Sequence, residues 1–399
     1  MKTRILFLLL LIIPAGIQAQ DPEEIIIGEK LTVHSNILNE DRKIWISTPE
    51  SYEGNTNLYP VMYLLDGDGH FHHTTGIVQF LSSNGIMPEM IIVGITNTDR
   101  TRDMTPALDE PDSMIARMSP TAGGADNFLA FIRDELMPFI NKEYRTAPYK
   151  ILVGHSLGGL VAAHTLITQP ELFNAYIAIS PSLWYGNQSL IEPAEKMLTE
   201  REELNVSFFM TIGDEGGSML GGAMKLAALF EEHPISGFEH KFIPMPEESH
   251  GSIPHRSTYQ GLEFIYNDFQ PPLPRTYEEF QASLATEGAS GLMNRVSDHY
   301  SKLSKKYGYM VSDEATINQL GYIFMQEQRM DDALLAFRMN TEKYPDSANA
   351  FDSLGDGYRA AGDSENAIES YKKAVSLAKK SGHPVGAISA VKLAEVKAE

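Results

Sequence analysis

Residues 150–160 read KILVGHSLGGL, an apolar run that closes on Gly154-His155-Ser156-Leu157-Gly158 and passes without a break into a helical pattern. Ile151 to Val153 are bulky and apolar, as in a buried strand, and the residues after Ser156 carry helical spacing. A serine at the corner between strand and helix is lifted clear of the backbone, and flanking glycines let that corner close without a Cβ clash. Its hydroxyl is then open to a base. The Leu157 amide, at the start of the helix, faces the place where a tetrahedral oxyanion would form. The plainer reading, a helix N-cap serine after a glycine turn, leaves the strand before, the helix after and the third glycine, Gly159, without a reason.

Outward from this corner the chain alternates. Ile25 to Ser47 reads as antiparallel strands with polar turns. Tyr59 to Leu65, Met90 to Ile95, Ile151 to Val153, Ala175 to Ser180 and Val206 to Ile212 are short buried strands, separated by helical patterns at Asp126 to Ile140, Leu157 to Thr168 and Gly221 to His233. This alternation predicts an α/β fold with a mostly parallel sheet flanked by helices. Ligands of such sheets sit at the carboxyl ends of the strands, where Ser156 lies.

A Pro-rich stretch, Gln270 to Arg275, marks a boundary, and beyond it the pattern is wholly helical. Leu320, Gly321, Phe324, Ala333 and Phe337 recur as Leu354, Gly355, Tyr358, Ala367 and Tyr371 at a constant spacing of 34 residues. That period of paired helices is the tetratricopeptide pattern, with helical segments at Tyr277 to Lys306 and Ala387 to Lys397 expected as caps. Such repeats are expected to bind a protein partner, or to serve as a lid or a dimer surface. The predicted organisation is a signal peptide over 1–19, an α/β domain over 20–270, a linker with capping helices over 271–313, and the small all-α repeat region over 314–399.

Met1 to Ala19 joins a basic start, Lys2 and Arg4, to an apolar run from Ile5 to Pro14 that is too short to span a bilayer. It predicts a secreted or periplasmic protein cleaved near Ala19. The net charge of −21, or −23 without Lys2 and Arg4, disfavours nucleic acid and anionic lipid as partners. The absence of cysteine excludes disulfides, thiolate metal sites and a cysteine nucleophile.

A serine nucleophile of this kind takes its partners in the chain order serine, acid, histidine. Among the histidines after Ser156, His164 and His233 fall on helical patterns and His240 on a strand-like run. His250 stands in the loop Glu247 to Ser252 beside Gly251, and His255 is the reserve. The acid belongs just after the strand Val206 to Ile212, which leaves Asp214 and Glu215. Tyr59 to Leu65 runs into Asp66-Gly67-Asp68-Gly69, a glycine-rich loop from which Gly67 or Asp68 can supply the second oxyanion amide. His70, His72 and His73 with Asp66 and Asp68 admit a metal reading, but a polar loop bordering a pocket accounts for them as well, and no metal or cofactor is expected. Arg100 and Arg102 can meet an anionic ligand or form internal salt bridges with Asp99 or Asp103. Trp184 and Tyr185 can stack on a substrate ring or simply pack.

The blocks LYPVMYLLDG, NTDRTRDMTP (Asn97 to Pro106), GGADNFLAFIRDELMPFI (Gly123 to Ile140), VGHSLGGL and ISPSLWY (Ile179 to Tyr185) resemble the α/β-hydrolase family of esterases that includes esterase D and the ferric-enterobactin and ferri-bacillibactin esterases. The likeness spans roughly Leu31 to Phe269. It implies a serine carboxylic-ester hydrolase with Ser156 as nucleophile, His250 as base and Asp66-Gly67 as oxyanion loop, and it inclines the choice of acid towards Glu215. The substrate it suggests is a ferric siderophore trilactone or related small ester, with an acyl-carbohydrate or feruloyl ester as the rival. Another class of expectation is an interaction protein that keeps the hydrolase fold as a scaffold for its repeats.

Overall fold

The computed structural model describes residues 24–53, 56–108 and 120–399. The segment expected to be a signal peptide lies outside them. Eight strands form one sheet in the order β1-β2-β4-β3-β5-β6-β7-β8. They are β1 (Glu29–Ser35), β2 (Glu40–Ser47), β3 (Tyr59–Leu64), β4 (Ile91–Ile95), β5 (Thr146–His155), β6 (Ala175–Ile179), β7 (Glu203–Ile212) and β8 (Ser236–Pro244). The β1–β2 hairpin joins antiparallel to β4, and all other neighbours are parallel. Strand β3 shows why the central strands read as unbroken apolar runs: Tyr63 and Leu65 enter the core on one face, Met62 and Leu64 the core on the other. Both faces are covered, so no alternation survives.

The principal helices of this part are α1 (Gly67–Ser83), α2 (Ala125–Phe131), α3 (Met137–Glu143), α4 (Leu157–Thr168), α5 (Ile191–Glu200), α6 (Gly217–Glu232) and α7 (Ile253–Ile265). Helices α2 and α3 are joined by the π-turn Ile132–Leu136. Its Glu135 reaches the β1–β2 turn, accepting from Ser35 Oγ at 2.5 Å and Asn36 N at 2.9 Å. One expectation changes. The glycines after Asp66 open helix α1 rather than a loop, because Asp66, in the left-handed region with φ 50° and ψ 43°, turns the chain sharply into the helix. Helix α7 begins at Ile253, so His255 lies inside a helix.

The remaining chain is all helical: α8 (Tyr277–Tyr307), α9 (Glu314–Gln326), α10 (Met330–Lys343), α11 (Ala348–Ala360), α12 (Ser364–Ser381) and α13 (Val385–Ala398). Thr276 caps α8 by accepting from Glu279 N, while Glu279 accepts from Arg275 N. Gly288, at φ 69°, breaks α8 part-way along. The 34-residue spacing corresponds to one repeated contact. A Cβ on Gly321 would lie 2.5 Å from the ring of Phe337, and one on Gly355 would lie 2.5 Å from the ring of Tyr371, so each glycine admits the aromatic of the next helix.

This helical region shares a core with one face of the sheet. Tyr307 packs against Tyr149 and Tyr266 with ring centroids 4.9 and 5.4 Å apart, and Lys306 pairs with Asp268 at 2.9 Å. Tyr149 stands early in β5, about 23 Å from Ser156 at some 3.3 Å per strand residue. The docking therefore falls at the end of the sheet away from the serine.

Candidate active site

Strand β5 ends at His155, and Ser156 takes φ 60° and ψ −115° before α4 begins. A non-glycine residue there carries about 1–3 kcal/mol of strain, held in place by its surroundings. Ser156 N donates to Ile179 O at 2.9 Å, and Ser182 N donates to Ser156 O at 3.0 Å. The glycines are steric necessities: a Cβ on Gly154 would come within 2.1 Å of Gly158 O, and one on Gly159 within 2.9 Å of Ile179 O. Ser182 Oγ lies 3.3 Å from Ser156 Oγ.

On the β7 side, His250 Nδ1 meets Glu215 Oε2 at 2.9 Å, with Glu215 buried and His250 half exposed. The other oxygen of Glu215 accepts from Ser180 Oγ at 2.5 Å and Gly213 N at 3.3 Å. Asp214 points elsewhere; it is exposed, and its amide donates to Glu248 O at 2.8 Å. Of the two candidate carboxylates, Glu215 is therefore the one that meets the histidine. Ser180 and Ser182 were present in the sequence as a Ser-Pro-Ser turn at the end of β6, but only the fold places one against the acid and the other against the nucleophile.

The oxyanion side is built from two helix starts. The Leu157 amide begins α4, and the Gly67 and Asp68 amides begin α1, where the first intrahelical bonds to Asp66 O come from Gly69 and His70. These early amides have no helical partner. Helix α1 lies against the sheet because Gly67 has no side chain: a Cβ there would lie 2.7 Å from the Gly94 carbonyl carbon. The turn also abuts the elbow, since a Cβ on Gly158 would lie 3.3 Å from Asp66 Oδ2.

Arg100 fixes this turn. Its Nε and Nη2 donate to the two oxygens of Asp66 at 2.6 and 2.9 Å, and Nη2 also reaches His155 O at 3.3 Å. Burial pushes the Asp66 carboxyl up, but the bond and charge of Arg100, helped by Asn97, outweigh it and hold it below the usual range. Arg102 bonds Glu40 and Asp103. Both arginines are thus engaged internally, Arg100 with a partner that spacing did not suggest. Tyr185 is buried and donates to Pro106 O at 2.9 Å, while Trp184 is half buried against the core. These two pack.

One cluster went unforeseen. The His155 ring lies 4.5 Å from that of His250 and 5.4 Å from that of His70; His70 lies 5.3 Å from His73, and His73 5.7 Å from His255. His70 Nδ1 and His73 Nε2 share a 3.1 Å hydrogen bond. Burial, then the neighbouring histidines, push His155 down to about 3 and His73 down to about 4. Burial also lowers His70. His70, His73 and His155 are therefore uncharged at neutral pH. Among the described residues, no group of three or more His, Asp or Glu side chains converges as a metal site.

A strained serine between two open helix starts, with a carboxylate-bound histidine from the loop after β8, defines the class as an α/β-hydrolase of the serine type. Residues 35–207 match the family described as "Putative esterase". The ferri-bacillibactin esterase BesA of Bacillus subtilis is 30% identical over 194 residues, 44% of this chain and 67% of that protein. The siderophore enterobactin esterase of Emericella nidulans is 34% identical over 158 residues, 35% of this chain, and the chain spans only 51% of that relative's length. An IroE-like serine hydrolase from Shewanella oneidensis superposes with a TM-score of 0.63 at 30% identity, over 79% of this chain and 99% of that one. The chain belongs to this esterase family.

Proposed function

We propose that this protein is a serine carboxylic-ester hydrolase acting through an acyl-enzyme, with Ser156, His250 and Glu215 as its triad. The observation that carries the reading is the 2.9 Å contact of His250 with a buried Glu215, set beside the strained Ser156 elbow. Glu215 fixes the His250 tautomer and stabilises its cation. His250 takes the Ser156 proton as the hydroxyl attacks the ester carbonyl. The oxyanion accepts from the Leu157 amide and from Gly67 or Asp68, and His250 then protonates the leaving alcohol. Water, activated by the same histidine, releases the acid.

The proposed substrate class is a small ester of the siderophore kind, because the relatives named above are enterobactin and bacillibactin esterases. The basic, apolar and small residues of Met1 to Ala19 support export. The repeated glycine–aromatic contact supports tetratricopeptide architecture for 314–399, with the partner-binding role such repeats have. The test is hydrolysis of p-nitrophenyl hexanoate by the parent, Ser156→Ala and His250→Ala. A fall in kcat of at least about 10³-fold in both variants is expected. Unchanged turnover in Ser156→Ala would remove the nucleophile and the reading with it.

A further inference from the structure

Among the described residues, six segments carry or border the site: 66–73, 97–103, 155–157, 180–188, 213–220 and 247–256. Together they hold eight carboxylates and three guanidiniums, and no lysine. None of the guanidiniums is left over. Arg100 is forked onto Asp66, Arg102 onto Glu40 and Asp103, and Arg256 sits between Glu247 and Glu248. His70, His73 and His155, beside His250, add no positive charge at neutral pH, because burial keeps them neutral.

Asp68 and Asp214, by contrast, stand exposed on opposite sides of the site, one on the oxyanion turn and the other beside Glu215. Among the described residues, Asp68 accepts a hydrogen bond from the neutral amide of Asn97, at 3.2 Å, and forms no ion pair within 4 Å. Lys225, two turns into α6, bonds Gln188, the last residue of the segment 180–188, at 2.6 Å, and so is engaged as well. The surrounding molecule carries −21. A cleft rimmed by one sign of charge between low-dielectric walls focuses that field on whatever enters.

We infer that the site takes esters with no net negative charge near the scissile bond and rejects anionic ones. This deepens the serine-hydrolase reading and rests on it. Within the siderophore class, the inference favours uncharged complexes or metal-free lactones and disfavours a strongly anionic ferric tris-catecholate.

The experiment compares two acyl chains of equal length on the full chain: p-nitrophenyl hexanoate and the mono-p-nitrophenyl ester of adipic acid. At low ionic strength kcat/KM for the carboxylate ester should be about tenfold lower or worse, and the gap should shrink at about 0.5 M salt. Glu247→Lys, which reverses a rim charge outside the triad, should narrow the low-salt gap. Equal or faster turnover of the carboxylate ester at low salt overturns the inference and leaves the hydrolase reading standing. Hydrolysis of the neutral ester that persists in Ser156→Ala overturns both.

Discussion

At the scale of single residues, the site turns on which of two adjacent carboxylates reaches the histidine. Glu215 is buried, meets His250 Nδ1, and has its second oxygen held by Ser180; Asp214 faces solvent. Replacing Glu215 by Gln keeps the shape but presents an amide where the proposed triad has a carboxylate to accept the ring proton and balance the imidazolium. We expect kcat to fall on the order of 10³-fold with KM nearly constant, whereas Asp214→Asn should stay within about twofold. Steady-state kinetics on both variants checks this. Comparable losses would show the acid to be shared, and a loss confined to Asp214→Asn would reverse the assignment. The sequence brought the acid to two neighbours and no further, because alternate residues beyond a strand end can face either way until the next loop packs. The loop Glu247 to Ser252 decides the matter here, through the bond from Asp214 N to Glu248 O.

At the scale of elements, α1, β5 and α7 meet through the column of histidines from His70 to His255. Folding holds His73 at about 4 and His155 at about 3, below the ordinary 6.5. As pH falls below about 6.5 the unfolded chain binds protons that the folded chain refuses. The stability these rings contribute is therefore complete above that pH and is lost progressively down to about 4 and about 3. The thermal midpoint should drop between pH 7 and pH 4.5. His73→Asn should flatten that slope relative to the parent, and scanning calorimetry across this range reads the difference; parallel slopes would mean that the column titrates normally.

These contacts mark where the sequence ceased to be informative. The elbow was fully legible, because Gly154, Ser156 and Gly158 act within one turn of chain. The central strands were legible as apolar runs, and the twice-made glycine–aromatic contact as a spacing of 34 residues. Helix α1 was not, because its glycine-rich opening has the composition of a loop and only burial against Gly94 makes it a helix start. Ser180, Ser182 and His155 acquire their roles from strands that meet far apart in sequence.

At the scale of the whole molecule, the helical region is mounted on the hydrolase rather than tethered to it. Tyr149, Tyr266 and Tyr307 form one buried aromatic cluster, with Phe280, Leu292 and Val296 in the same core. The seam lies at the start of β5, while Ser156 lies at its end, so the docked helices brace the sheet from the side opposite the chemistry. Helix α7 connects the two, running from the turn after His250 to Tyr266 in the seam. Removing the chain after Pro274 would strip cover from Tyr149, Tyr266 and Phe269, and the truncated hydrolase should be insoluble or strongly destabilised. The cleaner measurement is Tyr307→Ala in the full chain. Loss of a buried aromatic costs about 3–5 kcal/mol, and the hydroxyl bond to Asp268 goes with it. Urea denaturation should therefore show a much lower midpoint, while KM for a small ester in the absence of urea is unchanged, because the seam lies at the opposite end of β5 from Ser156. A stability equal to that of the parent would mean that the helices are an independent module on a linker. A raised KM would mean that the repeats reach the site after all.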